Sequence, residues 1–309
     1  MKLAALDVGT NTVLMLVVES DRHHRVNRLA DLARITRLGR GVDERGRLDP
    51  EAAARTLDTI VEFNNQARAL GATKILTAAT SALRDAGDGA DLIAQVKART
   101  GLDLDVISGE TEAQLNYMAV RHGLRIEPAE KLLIVDIGGG STELIRVDPG
   151  VEPLLISLRI GSVRLTERII RHDPPTESEG TELRATIDRA LDECDWRYRP
   201  DRMVGIAGTV TTVCAVALKL TSYDPAVVHG YRLPMADVAR VTEMFRTLPL
   251  AERKRLPGMV EERADVIFAG AAILERVMAR FGLDSVTVSD QGIRWGLIWR
   301  ELERSVSEL

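Results

Sequence analysis

KLAALDVG at residues 2–9 returns as KLLIVDIG at residues 131–138, an offset of 129 positions. Each is a short apolar run ending in Asp-x-Gly, which reads as a buried strand entering a tight turn where glycine permits close backbone approach. The repeat extends outward from this pair. TVLMLVVE (12–19) corresponds to TELIRVD (142–148), and RLADLARITRLG (28–39) to EPLLISLRIGSVRL (152–165), so each half opens with three consecutive strands. A helix follows in each. Asp49 as N-cap, Pro50 at the first helical position and Gly71 at the end bound PEAAARTLDTIVEFNNQARALG, while Pro174, Pro175 and Thr176 open TESEGTELRATIDRALDE. KILTAATSA (74–82) then matches MVGIAGTVT (203–211) at the same offset, and LDLDVISG (102–109) matches LDSVTVSD (283–290) at a larger one. The second half has gained about 50 residues between these last two strands.

The pattern in each half is βββαβαβα, a mixed sheet with helices on its faces. Two such units describe an α/β protein of two actin-like, ribonuclease H-like domains with a cleft between them. The expected boundary lies near residue 125, in HGLRIEPAE (122–130). Residues 1–125 form the first domain and 126–309 the second, with the last helix expected to pack back on the first.

Composition removes several functional classes. Among 309 residues there is no apolar stretch of the roughly 18–20 residues that a membrane span needs, and the apolar N-terminus is interrupted by Asp7. With no targeting segment evident, the expected location is the cytoplasm. Two cysteines, Cys194 and Cys214, cannot build a disulfide framework, and five histidines form no zinc motif. A net charge of −5 and 4% aromatic residues argue against a nucleic-acid binder.

Four loops carry the chemistry. DVGTNT (7–12) offers a carboxylate, a glycine and short donors, the makings of an anion nest. DIGGGSTE (136–143) says more. Three consecutive glycines are entropically costly, and bringing amides against phosphate oxygens gives them a reason. Asp136 and Glu143 flank that turn and could share one Mg2+ or another divalent cation. TAATSALRD (77–85) and AGTVTT (207–212) follow matching strands, where helix N-termini attract phosphate and Thr80, Ser81, Thr209 and Thr212 add hydroxyls. Arg84 could pair with a phosphate. Neither GxxxxGK[ST] nor a GxGxxG opening a βαβ unit is present.

With these residues in place the chain resembles the exopolyphosphatase / guanosine pentaphosphate phosphohydrolase family (Ppx/GppA) of the actin-like ATPase superfamily. The matching segments run from end to end: DVGTNT, ATSALRDA (79–86), ISGETEAQLNYMAV (107–120), DIGGGSTEL (136–144), GTVTT (208–212), HGYRLP (229–234), PGMVEERADVIFAGAAIL (257–274) and VSDQGIRWGL (288–297). The longer members' C-terminal helical region is not seen, so the resemblance is to the short, two-domain form. It implies hydrolysis of the terminal phosphoanhydride of polyphosphate, of guanosine pentaphosphate, or of both, with Mg2+. The residues alone leave Glu110 and Glu112 open as the general base. The resemblance selects Glu112. It implies that Asp136 and Glu143 position the metal, and that Gly138, Gly139, Gly140, Ser141 and Thr142 hold the terminal phosphate. Asp7, Gly9, Thr10 and Asn11 would hold the facing side, together with Thr80, Ser81, Gly208 and Thr209. Arg232, Arg263 and Arg294 stand in family-like segments, where they serve either a polyanion route or structural ion pairs.

Three departures stand out. Leu14 replaces a frequent basic residue, Gln114 a frequent arginine and Trp295 a polar residue read as packing. Fewer cations weigh against the guanosine substrate more than against polyphosphate. The expected function is exopolyphosphatase, with guanosine pentaphosphate 5′-phosphohydrolase, a noncatalytic polyphosphate sensor and a kinase of the same fold as the competing readings. A homodimer is weakly favoured.

Overall fold

The computed structural model describes residues 1–21, 25–127 and 129–307. Pro128, part of the expected boundary segment, lies outside them. The chain divides into two compact units: Met1–His122 together with the segment from Gly292 onward, and Gly123–Gln291.

The first unit begins with β1 (Lys2–Val8), β2 (Thr12–Ser20) and β3 (Val26–Ile35), then α1 (Val42–Arg45), α2 (Pro50–Ala69), β4 (Lys74–Ala79), α3 (Ser81–Asp85), α4 (Gly89–Thr100) and α5 (Gly109–Gly123). The sheet order is β3-β2-β1-β4, with β1 antiparallel to β2 and parallel to β4. Nearly all of β1 is buried, as a central strand covered on both faces requires, and its sequence is accordingly an apolar run. One face packs on α2 and α4 through Leu57, Ile60, Phe63, Leu92 and Val96. Asp49 caps α2 by accepting from Ala52 N–H at 3.0 Å, and Pro50 follows at the first helical position. Such a cap contributes about 1 kcal/mol.

The second unit repeats this order and adds to it. It comprises β5 (Leu132–Ile137), β6 (Thr142–Val147), β7 (Leu154–Leu158), α6 (Ser162–Ile169), α7 (Glu177–Leu191), β8 (Arg202–Ile206), α8 (Ala207–Ala217), α9 (Pro225–Val228), β9 (Arg232–Pro234), α10 (Met235–Thr247), α11 (Leu250–Arg253), a 3-10 turn (Glu261–Arg263), α12 (Ile267–Arg280) and β10 (Ser285–Val288). The order β7-β6-β5-β8-β10-β9 carries the same βββαβ core as the first unit. This is the actin-like architecture in both halves. The added stretch builds α9, β9, α10 and α11, and β9 joins the sheet antiparallel to β10. Both thiols lie buried in this unit, and burial pushes Cys214 up to about 12.

The last helix, α13 (Ile293–Ser307), belongs to the first unit. With α5 it covers the other face of that sheet: Ile293, Trp295, Leu297, Ile298 and Leu302 meet Leu3, Ala5, Leu16 and Val18. Trp295 is packing, stacked at 6.4 Å on Trp299.

Two expected strands are shorter than their patterns. LDLDVISG forms only a single bridge, Val106 to Ala79, because Thr77 Oγ1 donates to Asp103 O and accepts from Asp105 N–H where a ladder would otherwise run. In EPLLISLRIGSVRL the strand stops at Leu158. Beyond Gly161 the apolar positions Leu165 and Ile169 follow helical spacing, and the chain forms α6.

Candidate functional site

In the first unit the β1–β2 turn closes on Gly9 N–H donating to Thr12 O at 3.0 Å. The turn's own carbonyls are held from one side: Thr10 O accepts from Gly39 N–H at 2.8 Å, and Asn11 O from Thr36 and Arg37 N–H, each at 3.0 Å. The N–H groups of Thr10 and Asn11 donate to no backbone carbonyl among the described residues. Thr10 Oγ1 and Ser81 Oγ are 2.9 Å apart, so the structure joins the DVGTNT and TAATSALRD loops. Arg84 is turned to the protein, donating to Ile107 O at 3.0 Å.

Asp7 ends β1 on the face that α13 and α5 cover, since it alternates with Leu3 and Ala5. It is only 7% exposed, and its Oδ1 has no hydrogen-bond partner among the described residues. Burial pushes its carboxyl up to about 7, with the Arg294 guanidinium pulling the other way. Arg294 is held by Asp31 through paired bonds of 3.0 and 3.2 Å.

Glu112 lies in the first turn of α5. Ser108 starts that helix, its carbonyl accepting from Glu112 N–H at 2.9 Å and its hydroxyl from Thr111 N–H at 3.3 Å. Glu112, Leu115 and Ala119 share one helical stripe, and the latter two pack in the core against Ala5 and Leu16. Glu112 is therefore 9% exposed and on the same side of the sheet as Asp7. Glu110 is exposed, and hydrogen bonds from its own backbone and Ser108 lower its pKa. The environments separate two glutamates that sequence left equivalent.

In the second unit the β5–β6 turn closes in the same way, with Gly138 N–H donating to Ser141 O at 3.0 Å. Asp136 and Glu143 are direct cross-strand partners, with carboxylate oxygens within 4.8 Å of one another. Ser157 on β7, itself opposite Glu143, donates to Glu143 Oε1 at 2.8 Å and fixes it. Two acidic groups held this close repel unless a cation lies between them, and oxygen donors suit a hard divalent ion. The Ser157 contact was missed from the sequence, although the β6–β7 register would have revealed it.

Thr209 Oγ1 donates to Ile137 O at 3.3 Å, joining the DIGGGSTE and AGTVTT loops. Thr142 is fully buried and donates to Ile160 O at 2.7 Å, so its hydroxyl fastens the turn from within. Thr212 Oγ1 bonds Gly208 O at 2.6 Å inside α8. Ala207, the first residue of α8, has φ 67°, a left-handed conformation costing about 1–2 kcal/mol for a residue with a Cβ. That local strain sits where a strand feeds a helix N-terminus, whose first N–H groups have no intrahelical partner. The Arg263 guanidinium lies directly against Gly208, where an added Cβ would be 1.6 Å from Nη1. Burial pushes the Arg263 pKa down, with Tyr223 and Glu262 pulling the other way, and its charge adds to the positive end of the α8 dipole. Arg232 lies elsewhere, bound to Asp284 and Ser285 at an exposed strand edge. Of the three arginines, Arg263 lies against the AGTVTT turn, Arg294 acts on Asp7 of DVGTNT, and Arg232 is beside neither.

Similarity to known proteins covers nearly the whole chain. The model of the Ppx/GppA phosphatase family matches residues 16–305. Exopolyphosphatase 2 of Mycobacterium tuberculosis is 35% identical over 96% of this chain and 97% of its own length. Exopolyphosphatase 1 of Mycobacterium leprae is 31% identical over 98% and 90%. The crystal structure of the Aquifex aeolicus Ppx/GppA family member superposes with a TM-score of 0.85 at 31% identity, covering 99% of this chain and 98% of that one.

Proposed function

The chain belongs to the Ppx/GppA phosphatase family, and from that premise we propose that it is an exopolyphosphatase, releasing orthophosphate from the end of inorganic polyphosphate. The observation that carries this reading is the paired carboxylates Asp136 and Glu143 at the foot of a turn whose Gly139, Gly140 and Ser141 N–H groups donate to no backbone carbonyl among the described residues. Phosphoryl transfer asks mainly for positioning and charge neutralisation. In this reading Gly139, Gly140 and Ser141 hold the terminal phosphate through their amides, Gly138 closes the turn that presents them, and Gly208 and Thr209 at the start of α8 bind with them. Arg263 supplies a fixed positive charge. Asp7, Gly9, Thr10, Asn11, Thr80 and Ser81 form the clamp of the first unit. Glu112 takes the proton from the attacking water. Asp136 and Glu143 would hold Mg2+, which when bound neutralises charge on the transferring phosphoryl group.

Leu14 and Gln114, neutral where cations are frequent in the family, favour polyphosphate over guanosine pentaphosphate. Among the described residues no helix is long and apolar enough to cross a membrane. Two free, buried cysteines suit a reducing compartment, and the reading places the enzyme in the cytoplasm. The test is orthophosphate release from long polyphosphate, short polyphosphate and guanosine pentaphosphate, by wild type and Glu112→Gln. Wild type should turn over long polyphosphate best, and Glu112→Gln should lose on the order of a hundredfold or more in kcat. Far better cleavage of the pentaphosphate would overturn the substrate, and full activity of Glu112→Gln would overturn the base.

A further inference from the structure

All three carbonyls of the triple-glycine turn are held from beneath by the first turn of α6. Ser162 N–H donates to Gly138 O at 3.0 Å, and Val163 and Arg164 N–H both donate to Gly139 O at 3.0 Å. Gly140 O takes its bond from a side chain, Arg164 Nε, at 2.6 Å. In a trans peptide the C=O and the following N–H point opposite ways. Turning these three oxygens toward α6 therefore turns the N–H groups of Gly139, Gly140 and Ser141 away from it, and they donate to no backbone carbonyl among the described residues.

The third peptide plane differs from the other two in what holds it: a side chain rather than backbone N–H groups. Reversing it would turn ψ of Gly140, where no Cβ resists, together with φ of Ser141, where one does. The reversed plane would aim a carbonyl oxygen at a bound phosphate in place of an N–H. In the first unit the equivalent carbonyl, Asn11 O, is held by two backbone N–H groups, which any residue but proline supplies. In the second unit that role has passed to one side chain. Arg164 is half-buried, and desolvation, then the neighbouring Arg168, push its pKa below the usual arginine value. Glu167 pulls the other way, and the guanidinium stands beneath the turn as a half-buried cation.

Resting on the exopolyphosphatase reading, we propose that Arg164 is a positioning residue that locks the Gly140–Ser141 peptide so that the Ser141 N–H faces the terminal phosphate. Two substitutions separate the hydrogen bond from the charge. Glutamine places its Nε2 where arginine has Nε, keeping a donor for Gly140 O without the charge. Methionine has similar length and no donor. Arg164→Met should lower kcat/KM for polyphosphate about tenfold or more, mostly in kcat, and raise the Ki of orthophosphate as product inhibitor. Arg164→Gln should recover most of both. A merely structural role would lower the melting temperature of both variants and leave kcat and the phosphate Ki unmoved, and that result overturns the proposal. Equal defects in both variants overturn it too, in favour of charge alone. Should Arg164→Met not fold, Arg164→Lys replaces it, keeping the charge and moving the donor one bond out, and Arg164→Gln must then outperform it. Calorimetric binding of orthophosphate to wild type and variants tests the lock without turnover. A wild type that binds phosphate but does not cleave polyphosphate would overturn the activity and leave the lock to be judged on binding.

Discussion

The hairpin closed by Asp7 and Leu14 and the hairpin closed by Asp136 and Glu143 have one backbone and two chemistries. Both turn on a glycine whose N–H bonds the carbonyl three residues on, and an added Cβ on either glycine would meet that same oxygen at 3.2 Å. The cross-strand partner of the aspartate is where they part. Leucine leaves Asp7 a lone buried carboxylate with its pKa pushed up to about 7. Glutamate gives Asp136 a second carboxylate, pinned by Ser157. Duplication supplies the cradle twice, and one position decides that, among the described residues, the second hairpin pairs two carboxylates across its strands and the first does not.

That comparison breaks first at Glu143. Glu143→Leu gives the second hairpin the pairing of the first, and its kcat/KM for polyphosphate should fall on the order of a hundredfold or more at saturating Mg2+. A loss of less than threefold would mean that the pairing does not matter to the chemistry. The support beneath each turn comes next. An alanine Cβ at position 161 would lie 2.3 Å from Gly139 O, which is backbone, whereas one at position 39 would meet the Thr10 methyl at 2.2 Å. Gly161→Ala should cost roughly 1–3 kcal/mol in urea unfolding. Gly39→Ala should cost less, because Thr10 can rotate and give up its contact with Ser81. Equal costs would show that the two supports do not differ.

The smallest effect is a pH dependence confined to the first hairpin. The folded-state pKa of Asp7, about 7, stands above its ordinary 3.8. The unfolded chain releases this proton first, so the contribution to stability is whole below about 3.8 and is lost as pH rises through about 7. Asp7→Asn should therefore gain on wild type in melting temperature between about pH 4 and 8 in metal-free buffer. A difference that is flat with pH would place the charge of Asp7 elsewhere than a desolvated site.

Much of this was legible in the sequence because it depends on local patterns. The 129-residue repeat sets the strand order of both sheets, and Asp49-Pro50 marks the start of α2 where the cap forms. What stayed hidden depends on partners distant along the chain. Glu110 and Glu112 differ by burial, which is set by the stripe that α5 presents to its sheet. Ser157 and Arg164 act across a strand register and a helix–turn contact, and neither carries a motif of its own. Leucine, valine and arginine in SVRL suit a strand and a helix equally, and only packing at Leu165 and Ile169 selects α6.

The most direct test is the initial rate of orthophosphate release from long-chain polyphosphate as Mg2+ is added back to chelator-treated protein. Wild type should be silent without the ion and rise to saturation with it, while Glu112→Gln stays near baseline throughout. Release that persists under chelation, or a Glu112→Gln curve that overlays wild type, would contradict the account.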